Sequence, residues 1–219
     1  LTGTPEPYTP LGPAVAGGDP RVLVTEMAGR ASVEMKSKEL GYDITGDAER
    51  VTHIVETVKD LESKGWTFEA ADASFELILM GSDESQSRFE VESWRTIVEQ
   101  DASGDVRTEA TVKVRANGER MISTAEGNGP VNALDKALRS AVTSLHPELE
   151  PLELIDYKVR ILEKSDADTS GTASVTRVLV STSDGKREWT TLGVHENVVA
   201  ASWRALEDAL TYGLMRSQA

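Results

Sequence analysis

Two periods divide the chain. From residue 51 to 61 the apolar positions Val51, Ile54, Val55, Val58 and Leu61 recur at helical spacing and form one stripe. Thr45 or Asp47 is placed to cap that helix, and Gly65 follows its last turn. An extended run at Val22, Leu23 and Val24 precedes an earlier helix that reaches Leu40 and stops at Gly41. Gly29 inside that pattern weakens it or marks a close approach. Phe75, Leu77, Ile78 and Met80 predict a third short helix over 70–80. These helices read as a small bundle over residues 21–80.

After the polar break GSDESQS at 81–87 the period changes to two. Phe89, Val91 and Ser93 alternate with Glu90, Glu92 and Trp94, and Ala110, Val112, Val114 and Ala116 alternate with polar residues. Asn117-Gly118 is a hairpin signal, and 121–125 is the next strand. A helix follows, with Val131, Leu134, Ala137, Leu138, Ala141, Val142 and Leu145 on one face. Past His146-Pro147 the programme repeats. Strands are predicted over 152–162, 172–181 and 189–194, with Asp184-Gly185 as the hairpin signal. Asn197 caps a last helix carrying Val198, Ala201, Ala205, Leu206, Ala209 and Leu210. The repeat is strand-strand-strand-helix, twice, at a period of roughly 65 residues. It predicts an α+β fold: a linker at 1–20, a helical subdomain at 21–80, and a domain of two βββα units with pseudo-twofold symmetry at 88–219.

Composition narrows the partners. A net charge of −14 argues against nucleic acid and anionic membrane, both polyanions. There is no cysteine, so no disulfide and no thiolate metal site, which fits a reducing cytoplasm. No apolar run approaches the ~18 residues of a membrane span. The proline- and glycine-rich start, without Met or signal pattern, reads as the interior of a longer protein.

A catalytic apparatus is not evident in the motifs. His53, His146 and His195 stand apart and form no metal-binding spacing. His53 reads as a surface residue and His146 as a helix-end residue; His195 falls in the second strand-to-helix turn, where a ligand role stays open. Attention falls instead on Gly127-Asn128-Gly129-Pro130, between a strand and a helix. Pro130 suits the first helical position, and the flanking glycines allow a sharp turn and close approach. Free amides and the positive dipole end past Pro130 favour a carboxylate or phosphate. An unliganded tight turn fits the same four residues. The second unit has an equivalent turn at 193–197. Were the two corners to share an axis, a small zwitterion would fit, its carboxylate on helix amides and its side chain against Val131, Leu154 and Val194.

Five ordered stretches carry a resemblance: residues 21–32 (RVLVTEMAGRAS), 69–77 (EAADASFEL), 125–134 (AEGNGPVNAL), 156–160 (DYKVR) and 201–206 (ASWRAL). Together they resemble the C-terminal part of citramalate synthases, relatives of 2-isopropylmalate synthase. The resemblance implies a helical subdomain followed by an amino-acid-sensing regulatory domain that pairs in a homodimer. The catalytic barrel, with its divalent metal and acetyl-CoA, would lie outside this sequence; the fragment would hold no cofactor and be inactive alone. The effector, isoleucine or leucine, would meet Asn128, Gly129, Val131 and Asn132 of the turn, Leu154, Tyr157 and Ile161 of the following strand, and Val194. A 2-isopropylmalate synthase region and a dimerisation module without effector remain the alternatives. One position departs: family members carry a histidine shortly before the Arg-Val-Leu-Val run, where this chain has Pro10, so that contact is altered or displaced.

Overall fold

The structure, a computed structural model, describes residues 29–81, 89–116, 118–162 and 174–217. The expected linker at 1–20 with Pro10, the extended run at 22–24, the polar break beyond Gly81 and Asn117 lie outside them. Three helices come first: α1 (Arg30–Glu39), α2 (Ala48–Ser63) and α3 (Asp72–Met80). Gly29 is the N-cap of α1, so it precedes that helix rather than interrupting it. Of the two proposed caps for α2, Asp47 is used: its carboxylate accepts from the Arg50 amide at 2.9 Å. The apolar stripe of α2 joins Val33, Ile44, Phe68, Phe75 and Leu79 in a small core. The buried Lys36 ammonium ties α1 to α3 through Asp72, 2.8 Å away.

Two antiparallel sheets follow, each in simple sequential order. The first holds β1 (Glu90–Gln100), β2 (Val106–Ala116) and β3 (Glu119–Gly127), and is covered by α4 (Pro130–Thr143). A 3-10 turn (Pro147–Leu149) leads to β4 (Glu153–Leu162), β5 (Val175–Ser183) and β6 (Glu188–His195), covered by α5 (Val198–Arg216). The expected doubled βββα programme is therefore the architecture. Ala110, Val112 and Val114 of β2 and Val178 and Val180 of β5 face their helices. The two helices also touch each other, so one apolar core runs through both units.

Simple alternation fails at one point in each first strand. β1 changes register between Val91 and Ser93, and β4 between Leu154 and Asp156. Such a bulge inserts a residue and swaps the faces beyond it. Trp94, which alternation places with Glu90 and Glu92, is instead turned inward, and its ring stacks on Trp203 at 5.6 Å. The same device turns Tyr157 inward.

The bundle docks on the second unit. β6 ends the order of its sheet, and α3 covers its edge: the Leu192 amide donates to Ser74 Oγ at 2.9 Å. Ala73 and Leu77 of α3 join the large core while Phe75 and Leu79 face the small one. Beyond the last turn of α2, the Gly65 carbonyl accepts from Arg177 of β5.

Candidate functional site

The corner between β3 and α4 is built as Pro130 dictates, with that residue in the first helical turn. The glycines act differently from the expected sharp turn. Neither has a positive φ, and Gly129, the N-cap, is extended at φ −178°. Gly127 is small because the helix start lies against it: a Cβ there would come within 2.5 Å of the Ala133 nitrogen. No side chain caps α4. Asn132 Oδ1 instead accepts from the Asn128 amide at 3.3 Å and steadies the turn.

This uncapped helix start forms one end of an open hollow of about 750 Å³, a size suited to a small molecule. Asn128, Gly129, Val131 and Asn132 line it from the corner, Asp135 and Arg139 from the next turns of α4, and Leu152, Leu154 and Tyr157 from the approach to β4 and the strand itself. Six of the eight residues expected at an effector site thus come together.

Two do not. Ile161 lies further along β4, 62% exposed. Val194 packs toward the bundle, close to where a Gly65 side chain would stand. Among the described residues of one chain, no second-corner residue lines this hollow. In the second corner Asn197 caps α5, accepting from Val199 and Ala200 at 2.8 and 3.1 Å, and His195 Nδ1 accepts from the Asn197 amide at 2.8 Å. His195 therefore serves its own turn. Within one chain Val194 stands apart from Val131, because Gly193 faces α5 and Val194 therefore turns to the other side of the sheet, toward Gly65.

The polar side of the hollow was not anticipated. Arg139 Nε pairs with Asp135 Oδ1 at 2.8 Å, and its Nη1 donates to the Leu152 carbonyl. That guanidinium clamps the strand approach to the helix. Burial pushes the Asp135 carboxyl above the usual carboxylate range, with Arg139 opposing. The available signal was spacing: Val131, Asp135 and Arg139 follow at i, i+4 and i+8 on one helix face. Across the hollow, the Tyr157 hydroxyl lies 2.7 Å from Ser202 Oγ. Ser202 spends its own proton on the Val198 carbonyl at 2.6 Å, so Tyr157 donates and its ring is fixed. Among the described residues no cluster of His, Cys, Asp and Glu is set to hold a metal, and no helix is long and apolar enough to cross a membrane.

The described residues thus form a doubled βββα fold with an open hollow at one helix start, walled on its polar side by the part-buried Asp135–Arg139 pair, the architecture of a paired-unit regulatory domain. The pattern of the LeuA allosteric (dimerisation) domain matches residues 69–214, and the chain belongs to that family. It is similar to the (R)-citramalate synthase of Streptomyces coelicolor, at 57% identity over 97% of this chain and 40% of the relative. It is similar also to the (R)-citramalate synthases of Synechocystis, at 40% identity over 96% of this chain and 39% of the relative, and of Aquifex aeolicus, at 38% over 96% and 40%. The chain thus spans about 40% of the length of these curated relatives.

Proposed function

We propose that the chain is the effector-binding and pairing region of a citramalate-synthase-like acyltransferase, and that its hollow takes a branched-chain amino acid, isoleucine in the first place. The observation that carries this is the uncapped start of α4 facing Val131, Leu154 and Tyr157 across one open space. The carboxylate of the amino acid sits at the helix start, favoured by about 0.3–2 kcal/mol. The buried Asp135 carboxyl, held by Arg139, offers the ammonium its counter-charge. The aliphatic group meets the three apolar side chains. The parent protein joins acetyl-CoA to pyruvate on a metal-dependent barrel outside this sequence, and this region returns feedback as a coupling free energy between hollow and barrel.

Pairing rests on a separate feature. Val98, Val106, Val159 and Ile161 are exposed by 54, 61, 46 and 62% at strand positions beyond the reach of α4 and α5. Apolar surface of this kind is what a second copy would cover.

Calorimetric titration with isoleucine, leucine and valine tests the effector reading. Isoleucine is expected to bind tightest, within about 1–3 kcal/mol of the others. Absence of heat with all three would remove it. Val131→Asp is expected to abolish binding with the helical circular dichroism unchanged; retained affinity would move the site elsewhere.

A further inference from the structure

The strand registers put the two units in strict correspondence. Thr108 of β2 pairs with the last residue of β3, Gly127, and Thr176 of β5 pairs with the last residue of β6, His195. Val98 of β1 faces Thr108 as Ile161 of β4 faces Thr176. Counting back along those first strands, Trp94 stands where Tyr157 stands, each just past its bulge. Counting forward from the helix starts Pro130 and Val198, Trp203 stands where Asp135 stands.

In the first corner that pair is parted. Tyr157 and Asp135 face each other across the hollow. In the second corner it is joined: the indoles of Trp94 and Trp203 stack with centroids 5.6 Å apart and planes 25° apart. Trp203 is 6% exposed. The i, i+4 companion changes in step. Where Asp135 is followed at i+4 by its partner Arg139, Trp203 is followed at the same spacing by Glu207. The helix start changes too, since α4 has no side-chain cap while Asn197 occupies the first amides of α5. Space, charge and helix amides are each left open in one corner and taken up from within in the other.

We propose that the second corner is a sister hollow closed by the Trp94–Trp203 stack, so that each chain takes a single amino-acid effector, at the first corner only. This deepens the effector reading above and rests on it for the stoichiometry, though not for the plug. An indole pair fills the volume that a small metabolite occupies in the sister site, and Asn197 removes the carboxylate seat. Duplication of the unit therefore supplies the fold twice but the receptor once.

The test titrates the chain and its Trp203→Ala variant by calorimetry with isoleucine, and the variant also with free indole. The native chain is expected to bind one isoleucine; two would overturn the proposal. Trp203→Ala is expected to lose the near-ultraviolet dichroism of the stacked indoles and to regain it on binding one equivalent of indole. No uptake of indole by the folded variant would overturn it. Should Trp203→Ala not fold, Trp94→Ala carries the same titration with the same two outcomes. Should the native chain bind no amino acid, the effector reading falls, and indole uptake alone decides whether the second corner is a plugged hollow.

Discussion

The Tyr212 hydroxyl of α5 donates to Glu76 Oε1 of α3 across 2.9 Å. Glu76 is 4% exposed and also accepts from Tyr42 at 3.0 Å and from Arg216. One buried carboxylate thereby joins the helical bundle to the last helix of the second unit. Burial pushes the Tyr212 hydroxyl up to about 12, so it stays a donor throughout the working range. Glu76→Ala removes the carboxylate that accepts from two phenols and a guanidinium. A loss of about 3 kcal/mol in urea unfolding is expected, with part recovered in Glu76→Gln, which keeps an acceptor oxygen. A loss below ~1 kcal/mol would mean that solvent replaces the carboxylate and that the joint is made by apolar contact instead.

Such a joint is not legible in the chain, because its members are brought together only by the docking of α3 on β6. What periodicity reports is one-body information. The Val51–Ile54–Val58 stripe and the β2 alternation are visible since each residue meets the core by its own position. The doubled unit and the Gly127-to-Pro130 corner follow from local signals of that kind, whereas Asn132 and Tyr157 are reached only through the family resemblance. Bulges escape it: nothing in the composition around Val91 or Leu154 announces an inserted residue, so alternation alone puts Trp94 on the wrong face. The reach of the hollow along β4 escapes it as well. Tyr157 is carried inward by a bulge and pinned by Ser202, whereas Ile161 runs past the end of the covering helix.

Asp208 of α5 sets a pH dependence. Burial pushes its carboxyl up to about 7, with Arg204 at 3.3 Å opposing and Glu207 reinforcing. The folded form therefore binds a proton more readily than the unfolded chain. Stability from this group is complete below the unfolded carboxylate value and is lost as pH rises through about 7. The full loss is on the order of 4 kcal/mol. Asp208→Asn is expected to match the native chain near pH 4, and to exceed its stability increasingly up to about pH 8. The mostly exposed Arg204 gives up little when its partner is neutralised. Thermal unfolding across that range decides it; parallel curves for the two proteins would show that Asp208 ionises as freely in the fold as outside it.

Ile161 and its counterpart Val98 test pairing. Each is more than half exposed on a strand position that faces inward where a helix covers it. Ile161→Glu leaves the monomer core untouched and is expected to be neutral for folding within ~0.5 kcal/mol. It would place a charge on each side of the proposed twofold contact, and burying an isoleucine is worth about 1.5–3 kcal/mol. Dimer dissociation should strengthen by at least about tenfold in sedimentation equilibrium. An unchanged association constant would send the interface to another face.

Gly193 and Gly129 separate close packing from turn geometry. Gly193 lies in β6, where a Cβ would stand 1.9 Å from the Ala201 carbonyl oxygen and 3.0 Å from the Ala205 nitrogen. Both are backbone atoms of α5, so no side chain can swing aside. The helix itself must lift from the sheet, and Trp189 and Thr191, which hydrogen-bond to the Ala209 and Ala205 carbonyls, would lose their acceptors with it. Gly193→Ala is expected to cost about 3 kcal/mol or more, the upper range for overpacking. Gly129 has open space where its Cβ would point and an extended φ that any residue adopts. Gly129→Ala should cost no more than about 1 kcal/mol as a poorer N-cap. Urea unfolding of the two variants side by side measures the contrast. Equal losses would mean that α5 slides on β6 without resistance, and that the alanine-rich face of α5 does not fix its height above the sheet.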